Sequence, residues 1–166
     1  MSSKLKVESS KVGIVQGGLK LKVYLDMCVY NRPFDDQSDL RVKLETVACQ
    51  IIFDRLQKGE VDLVWSFMLE FENELNPFIE RKHEIVLLSR LAGHIVEPHR
   101  DILTKAEEVE KSGIKGNDAV HLACGLFSNC HYFVTCDDRV IRRSASLDLG
   151  MVVCSPLEFI RKEETK

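Results

Sequence analysis

Leu21-Lys22-Val23-Tyr24-Leu25-Asp26 decides how this chain reads: a short apolar-rich run that stops abruptly at a carboxylate. Such a run predicts a strand. The figure returns further along. Val61-Asp62-Leu63-Val64-Trp65 leads to Ser66, with Glu70 and Glu72 roughly one helical turn beyond it. Tyr132-Phe133-Val134-Thr135 is followed, after Cys136, by Asp137 and Asp138.

Outward from these strands the pattern turns helical. Leu40, Leu44, Val47, Ala48, Ile51, Ile52 and Leu56 fall on one face of an amphipathic helix that Gly59 closes. Between Asp26 and that helix the sequence reads as a loop, carrying Arg32-Pro33 and the acidic Asp35-Asp36. A helix is expected after Ser66 until Asn76-Pro77 breaks it, and another from Phe78 to Leu91, ended by Gly93. His94–Glu97 predicts a short strand and Asp101–Lys111 a charged helix. Asn117–Phe127 is the most apolar helix, with Asn117 or Asp118 placed to cap it. Asp138–Ser144, the strand Met151–Cys154 and a closing helix Pro156–Arg161, with Pro in its first turn, complete the series. Strands alternating with helices at this spacing imply an α/β fold, a parallel sheet covered on both faces. In such sheets ligands bind beyond the carboxyl ends of the strands.

At 166 residues the chain fits one domain with a core of its own. Residues 1–20 are polar and Gly-containing without sustained periodicity, and read as an arm outside a folded unit spanning 21–162. A net charge of −3 argues against a protein that coats nucleic acid through bulk basicity. It leaves room for an enzyme that holds nucleic acid through metal ions and a local basic rim. The six cysteines include no Cys-x-x-Cys pair, so they read as small buried hydrophobes rather than a zinc site. No apolar run approaches the ~20 residues of a membrane span, and no secretory h-region opens the chain, so the expected location is the cytoplasm.

Parallel strands point their carboxyl ends to one edge, where Asp26, Glu72 and Asp137 can converge. Asp118 can join them from the start of its helix. Four carboxylates in one cleft repel each other unless a cation intervenes. Mg²⁺ and Mn²⁺ take oxygen ligands and keep waters for a substrate phosphate. The chemistry this suits is phosphodiester hydrolysis. Asp at a strand end or helix start is also an ordinary cap or turn residue. Composition and spacing leave both readings standing.

The segments that carry these acids resemble the PIN family of nucleases over roughly residues 21–160. Val23-Tyr24-Leu25-Asp26 with Asn31-Arg32-Pro33-Phe34-Asp35 looks like the family's opening motif. Ser66-Phe67-Met68-Leu69-Glu70-Phe71-Glu72 looks like the second, in which the Glu six residues after the Ser is catalytic, selecting Glu72 over Glu70. Gly116-Asn117-Asp118-Ala119-Val120-His121 is similar to the third, and Phe133-Val134-Thr135-Cys136-Asp137 to the fourth. The resemblance implies a three-layer α/β/α sandwich, a divalent-metal site and cleavage of single-stranded RNA. Small prokaryotic members are commonly toxins of VapBC-type toxin–antitoxin pairs, often dimeric. An antitoxin protein and a second copy of the chain are therefore candidate partners.

On that resemblance Asp26, Glu72, Asp118 and Asp137 form the catalytic and metal-binding set. After the fourth motif the chain reads Asp137-Asp138-Arg139-Val140 where many relatives have Asp-x-x-Phe, and on that departure Asp138 would replace or supplement a ligand. Glu72 or Asp118 would take a proton from the attacking water. Thr135 would support the site by hydrogen bonding an acid, with helix capping as its ordinary alternative, and Ser66 has the same two readings. Asn31 and Arg32 are candidates for substrate contact, or simply a turn before Pro33. Arg139, Arg142 and Arg143 form a basic group suited to RNA phosphates, or a solvated helix face. His121 lies in an apolar stretch and reads as a buried, satisfied histidine; Trp65 reads as core.

The non-enzymatic alternative is the same fold kept as an RNA- or partner-binding module. A phosphoryl-accepting receiver would need an acidic pair at the first strand and a Lys after the late one. A haloacid-dehalogenase-like phosphatase would need Asp-x-Asp where this chain has Asp26-Met27-Cys28. Both fail at the residue level.

Overall fold

A computed structural model describes residues 20–166, so most of the expected N-terminal arm lies outside the described residues. Five parallel strands form one sheet in the order β3-β2-β1-β4-β5: β1 (Leu21–Leu25), β2 (Val61–Ser66), β3 (His94–Val96), β4 (Tyr132–Val134) and β5 (Val152–Cys154). The helices are α1 (Met27–Asn31), α2 (Leu40–Gln57), α3 (Phe67–Glu74), α4 (Ile79–Ser89), α5 (Arg100–Glu110), α6 (Asn117–Phe127), α7 (Asp138–Ser144) and α8 (Pro156–Glu164). The stretch after Asp26, expected to be a loop, is instead α1 followed by a 3₁₀ turn at Arg32–Phe34, because the Asp26 side chain caps the first helical amide.

The chain runs outward from β1 through β2 to β3, then crosses to the other side of β1 and continues through β4 to β5. Right-handed crossovers in opposite directions put their helices on opposite faces. This yields the three-layer α/β/α sandwich the sequence predicts, with α2 packed on α8 and α5 on α6. The direction reverses between β1 and β4, the place where open α/β sheets leave a crevice at their carboxyl edge. Among the described residues no helix is long and apolar enough to cross a membrane.

Helix α2 corrects the sequence reading. The helix forms where predicted, and Gly59 with φ of +71° turns the chain out of it. Its inward face, however, is Glu45, Thr46, Ala48, Cys49, Ile52 and Leu56, while Leu40, Leu44, Val47 and Ile51 are exposed. The helix carries two apolar stripes, and periodicity alone merged them. At α6 the cap is also corrected. Neither Asn117 nor Asp118 caps it; Gly116, at φ of +61°, precedes the helix and leaves Asp118 in its first turn. The cysteines are all free and all but Cys28 are buried, as expected of small core residues.

Candidate functional site

Register places the first acid. Leu25 of β1 pairs with Val134 of β4, and the Asp26 amide donates to the Val134 carbonyl at 2.9 Å. The Asp26 carboxylate is 7% exposed and accepts from the Met27 amide and the Thr135 hydroxyl, each at 2.8 Å. Thr135 Oγ1 in turn accepts from the Asp137 amide at 3.1 Å. One hydroxyl thus fastens the acid ending β1 to the segment that follows β4. Supporting contact and helix-proximal capping are here the same residue's two bonds.

Asp137 caps α7 by accepting from the Arg139 amide at 2.9 Å, and its other oxygen faces the Arg139 guanidinium at 3.5 Å. Glu72 reaches in from α3, whose start is fixed by Ser66 accepting from the Leu69 amide at 3.2 Å. Asp118 is half-buried and makes no hydrogen bond among the described residues. Its carboxyl is held above the ordinary range, first by loss of water, then by the nearby charges of Asp26, Asp137 and Glu72, against the pull of His121. The acids of four different segments therefore lie in each other's fields.

His121, from the next turn of α6, is 1% exposed with both ring nitrogens engaged. Nε2 lies 2.7 Å from Glu72 Oε1 and 3.9 Å from Asp26 Oδ1, and Nδ1 lies 2.6 Å from the Tyr24 hydroxyl. Tyr24 reaches on to Ser66 Oγ at 2.6 Å. Burial pushes the imidazole down, but the Glu72 bond and the charges of Asp26 and Asp118 outweigh it, leaving the ring above its ordinary value. In the cationic form each ring N–H donates, to Glu72 and to Tyr24, and Tyr24 donates to Ser66. Sequence reading placed His121 correctly as buried and satisfied, yet missed that what satisfies it is the candidate site. The available signal was a tyrosine two residues before Asp26 and a histidine three after Asp118.

The remaining candidates divide. Asp138 is exposed and held by Arg41, with both oxygens in contact at 2.7 and 2.8 Å; the pairing pulls its carboxyl below the usual range. Arg41 also grips the buried Glu45 at 2.8 Å, and neither residue was singled out from sequence. Arg32 is drawn to Asp35 at 3.1 Å and to Glu45 at 4.0 Å. Asn31 donates to the Met27 carbonyl at 3.2 Å, its side-chain oxygen buried without a partner. Arg142 is exposed, while Arg139 and Arg143 line a cleft of about 250 Å³ with Lys115 and Asp118. Glu70 donates nothing to the cluster; it accepts from the buried Trp65 indole at 2.8 Å. Among the described residues no group of three His, Cys, Asp or Glu side chains is already arranged to hold a metal ion.

No protein-family model and no curated protein matches the sequence. Among solved structures the chain is similar to one chain of the crystal structure of VapBC2 from Rickettsia felis bound to a DNA fragment from their promoter. The TM-score is 0.50 and the identity 14%, over 81% of this chain and 98% of that one. At that identity the likeness is one of fold, and it agrees with the PIN-like sandwich expected from the motifs.

Proposed function

We propose that residues 21–162 form a divalent-metal-dependent endoribonuclease acting on single-stranded RNA, with Asp26, Glu72, Asp118 and Asp137 as its metal-binding and catalytic acids. One observation carries this reading: the Asp118 carboxyl, which has no hydrogen-bond partner among the described residues, is raised first by loss of water and then by the charges of Asp26, Asp137 and Glu72. Crowding of hard oxygen donors at a sheet's switch point suits Mg²⁺ or Mn²⁺, whose charge would offset the mutual repulsion. Held by these acids, such a cation would supply activation of a water and charge stabilisation for a departing phosphodiester oxygen.

The chain's own residues supply position and proton handling. Thr135 orients the Asp26 carboxylate, and Ser66 with Tyr24 and His121 sets the side chain of Glu72. Of the two acids considered for taking the water's proton, Asp118 is the freer, because one oxygen of Glu72 is engaged by His121. Asp138, the further ligand candidate, has both oxygens engaged by Arg41. Arg139, Arg142, Asn31 and Arg32 are the substrate-facing candidates, with Arg32 the most compromised by its acidic neighbours. The fold likeness extends the proposal to a toxin's role in the cytoplasm, with an antitoxin or a second copy as partner.

A second reading, a binding module on a degraded site, is favoured by the His121–Glu72 bond, which occupies one oxygen of a candidate ligand. Labelled single-stranded RNA incubated with and without Mg²⁺ or Mn²⁺, beside an Asp26→Asn/Asp118→Asn double variant, separates the two. Metal-dependent cleavage lost in the variant by more than about a hundredfold supports the nuclease, since even residues behind metal ligands are worth ~10–100-fold. Equal silence of both folded proteins on diverse RNAs selects the binding module.

A further inference from the structure

We infer that Phe34, Phe78 and Arg81 form a stacking platform for an unpaired nucleic-acid base, beside the acidic cleft. Each phenylalanine follows a proline, in Pro33-Phe34 and Pro77-Phe78, and each is exposed, by 41% and 58%. Neither belongs to the hydrophobic core. Between them lies the Arg81 guanidinium, its central carbon 5.3 Å from the Phe34 ring centre and 4.7 Å from that of Phe78. Arg81 also donates to the Phe34 carbonyl at 3.1 Å, which joins the turn after α1 to the first turn of α4.

The three groups are held rather than trailing. Gln37 Nε2 donates to the Asp35 carbonyl at 2.9 Å and lies 3.2 and 3.4 Å from the Arg32 and Pro33 carbonyls, bracing the Phe34 turn. Asn76 accepts from the Phe78 amide at 3.1 Å and fixes the start of α4. Arg81 makes no ion pair among the described residues, so its charge is spent only on two ring faces and a carbonyl. The nearest acids on the Phe34 side are occupied: Asp35 pairs with Arg32 at 3.1 Å, and Asp36 caps Ser38 at 3.0 Å.

A rigid cation between exposed π-faces matches a ligand that carries π-faces on a polyanionic backbone. Single-stranded nucleic acid has that chemistry. A duplex does not offer it, because its bases are already stacked. Position agrees. Phe34 ends the segment that leaves Asp26 through α1, and Phe78 follows the helix that carries Glu72. Five residues of α-helix and three of 3₁₀ rise by about 13 Å at most, which keeps Phe34 within roughly that distance of Asp26. A strand crossing the acids would lay a neighbouring base on the platform. The identity of the polymer rests on the nuclease reading above.

The test uses the full chain in EDTA, where nothing is cut, and fluorescence anisotropy with two labelled RNAs: a short single strand and the same backbone with abasic ribose. Wild type is expected to bind the base-bearing strand about five- to a hundredfold more tightly. In Phe34→Leu/Phe78→Leu, which keeps apolar volume but removes the rings, that preference collapses while abasic binding is unchanged. The single Phe78→Leu variant, altering the more exposed ring, gives the same direction should the double variant melt early. A wild type that binds no single-stranded RNA or shows no base preference overturns the platform, as does a folded variant that keeps the preference. An apolar protein partner that buries both rings, with no base preference in the free chain, overturns it as well and assigns the patch to protein docking. Base-dependent binding without metal-dependent cleavage would sink the nuclease reading and leave the platform, and the converse would do the reverse.

Discussion

Helices α6 and α2 obey opposite rules. Helix α6 turns Ala119, Leu122, Ala123 and Cys124 into the core and admits one polar side chain, His121, whose every polar atom is met. Helix α2 buries Glu45 and exposes Leu40, Leu44, Val47 and Ile51. The difference shows where apolar periodicity decides a structure and where a charged anchor does. Glu45 is 2% exposed because Arg41 and Arg32 converge on it, and together they tie α2 to the segments after β1 and β4. That anchoring sets the rotation of α2 and leaves its second apolar stripe outside.

The largest effect that can break this comparison lies in α6. Leu122→Ala removes a fully buried side chain and is expected to cost about 2–5 kcal/mol in urea unfolding. A cost below about 1 kcal/mol would mean that α6 is not the better packed helix. Next comes Glu45→Gln, which removes the buried charge and leaves Arg41 holding Asp138 alone. It should destabilise by roughly 1–3 kcal/mol, and a neutral result would remove Glu45 as the anchor of α2.

A third, pH-dependent effect bears on the polar exception in α6. Because the folded-state value of His121 is raised, its stabilising contribution is complete below the unfolded value of about 6.5 and is lost as pH rises through the folded value. NMR titration of the metal-free chain should find the ring above ~6.5, and Glu72→Gln should lower it. A ring titrating lower than an ordinary histidine would contradict the assignment of charge. The smallest effect is the sharpest contrast: Leu44→Ala on the exposed stripe of α2 should move stability by no more than about 0.5 kcal/mol. If it costs as much as Leu122→Ala, the stripe is buried in solution and α2 follows the ordinary rule after all.

Much of the fold was legible because strands here are short, apolar and stop at polar residues. Leu21–Leu25 is a strand with the bounds its composition implies, and Asn117–Phe127 and Asp138–Ser144 are helices at the expected limits. What failed depends on partners distant in sequence. The rotation of α2 needs the Arg41–Asp138 pair, 97 residues apart, and no local window contains both. The candidate acids were legible as strand-end and helix-start carboxylates. The links that position them were not, since Tyr24 to His121 spans 97 residues and Thr135 to Asp26 spans 109. Helix α1 was missed for a nearer reason: five residues give too little pattern for a period to show.

The central place of β1 has a consequence for how the protein is made. The first acid emerges early in synthesis, but the strand and hydroxyl that hold it, Val134 and Thr135, come about a hundred residues later. At roughly 5–20 residues per second the ribosome needs on the order of 5–20 seconds to cover that gap. Until β4 is made, β1 can gain β2 on one side once residues 61–66 have emerged but has nothing on the other, so the cluster of acids cannot assemble. Topology thus withholds the assembled acid cluster until the segment after β4 has been made.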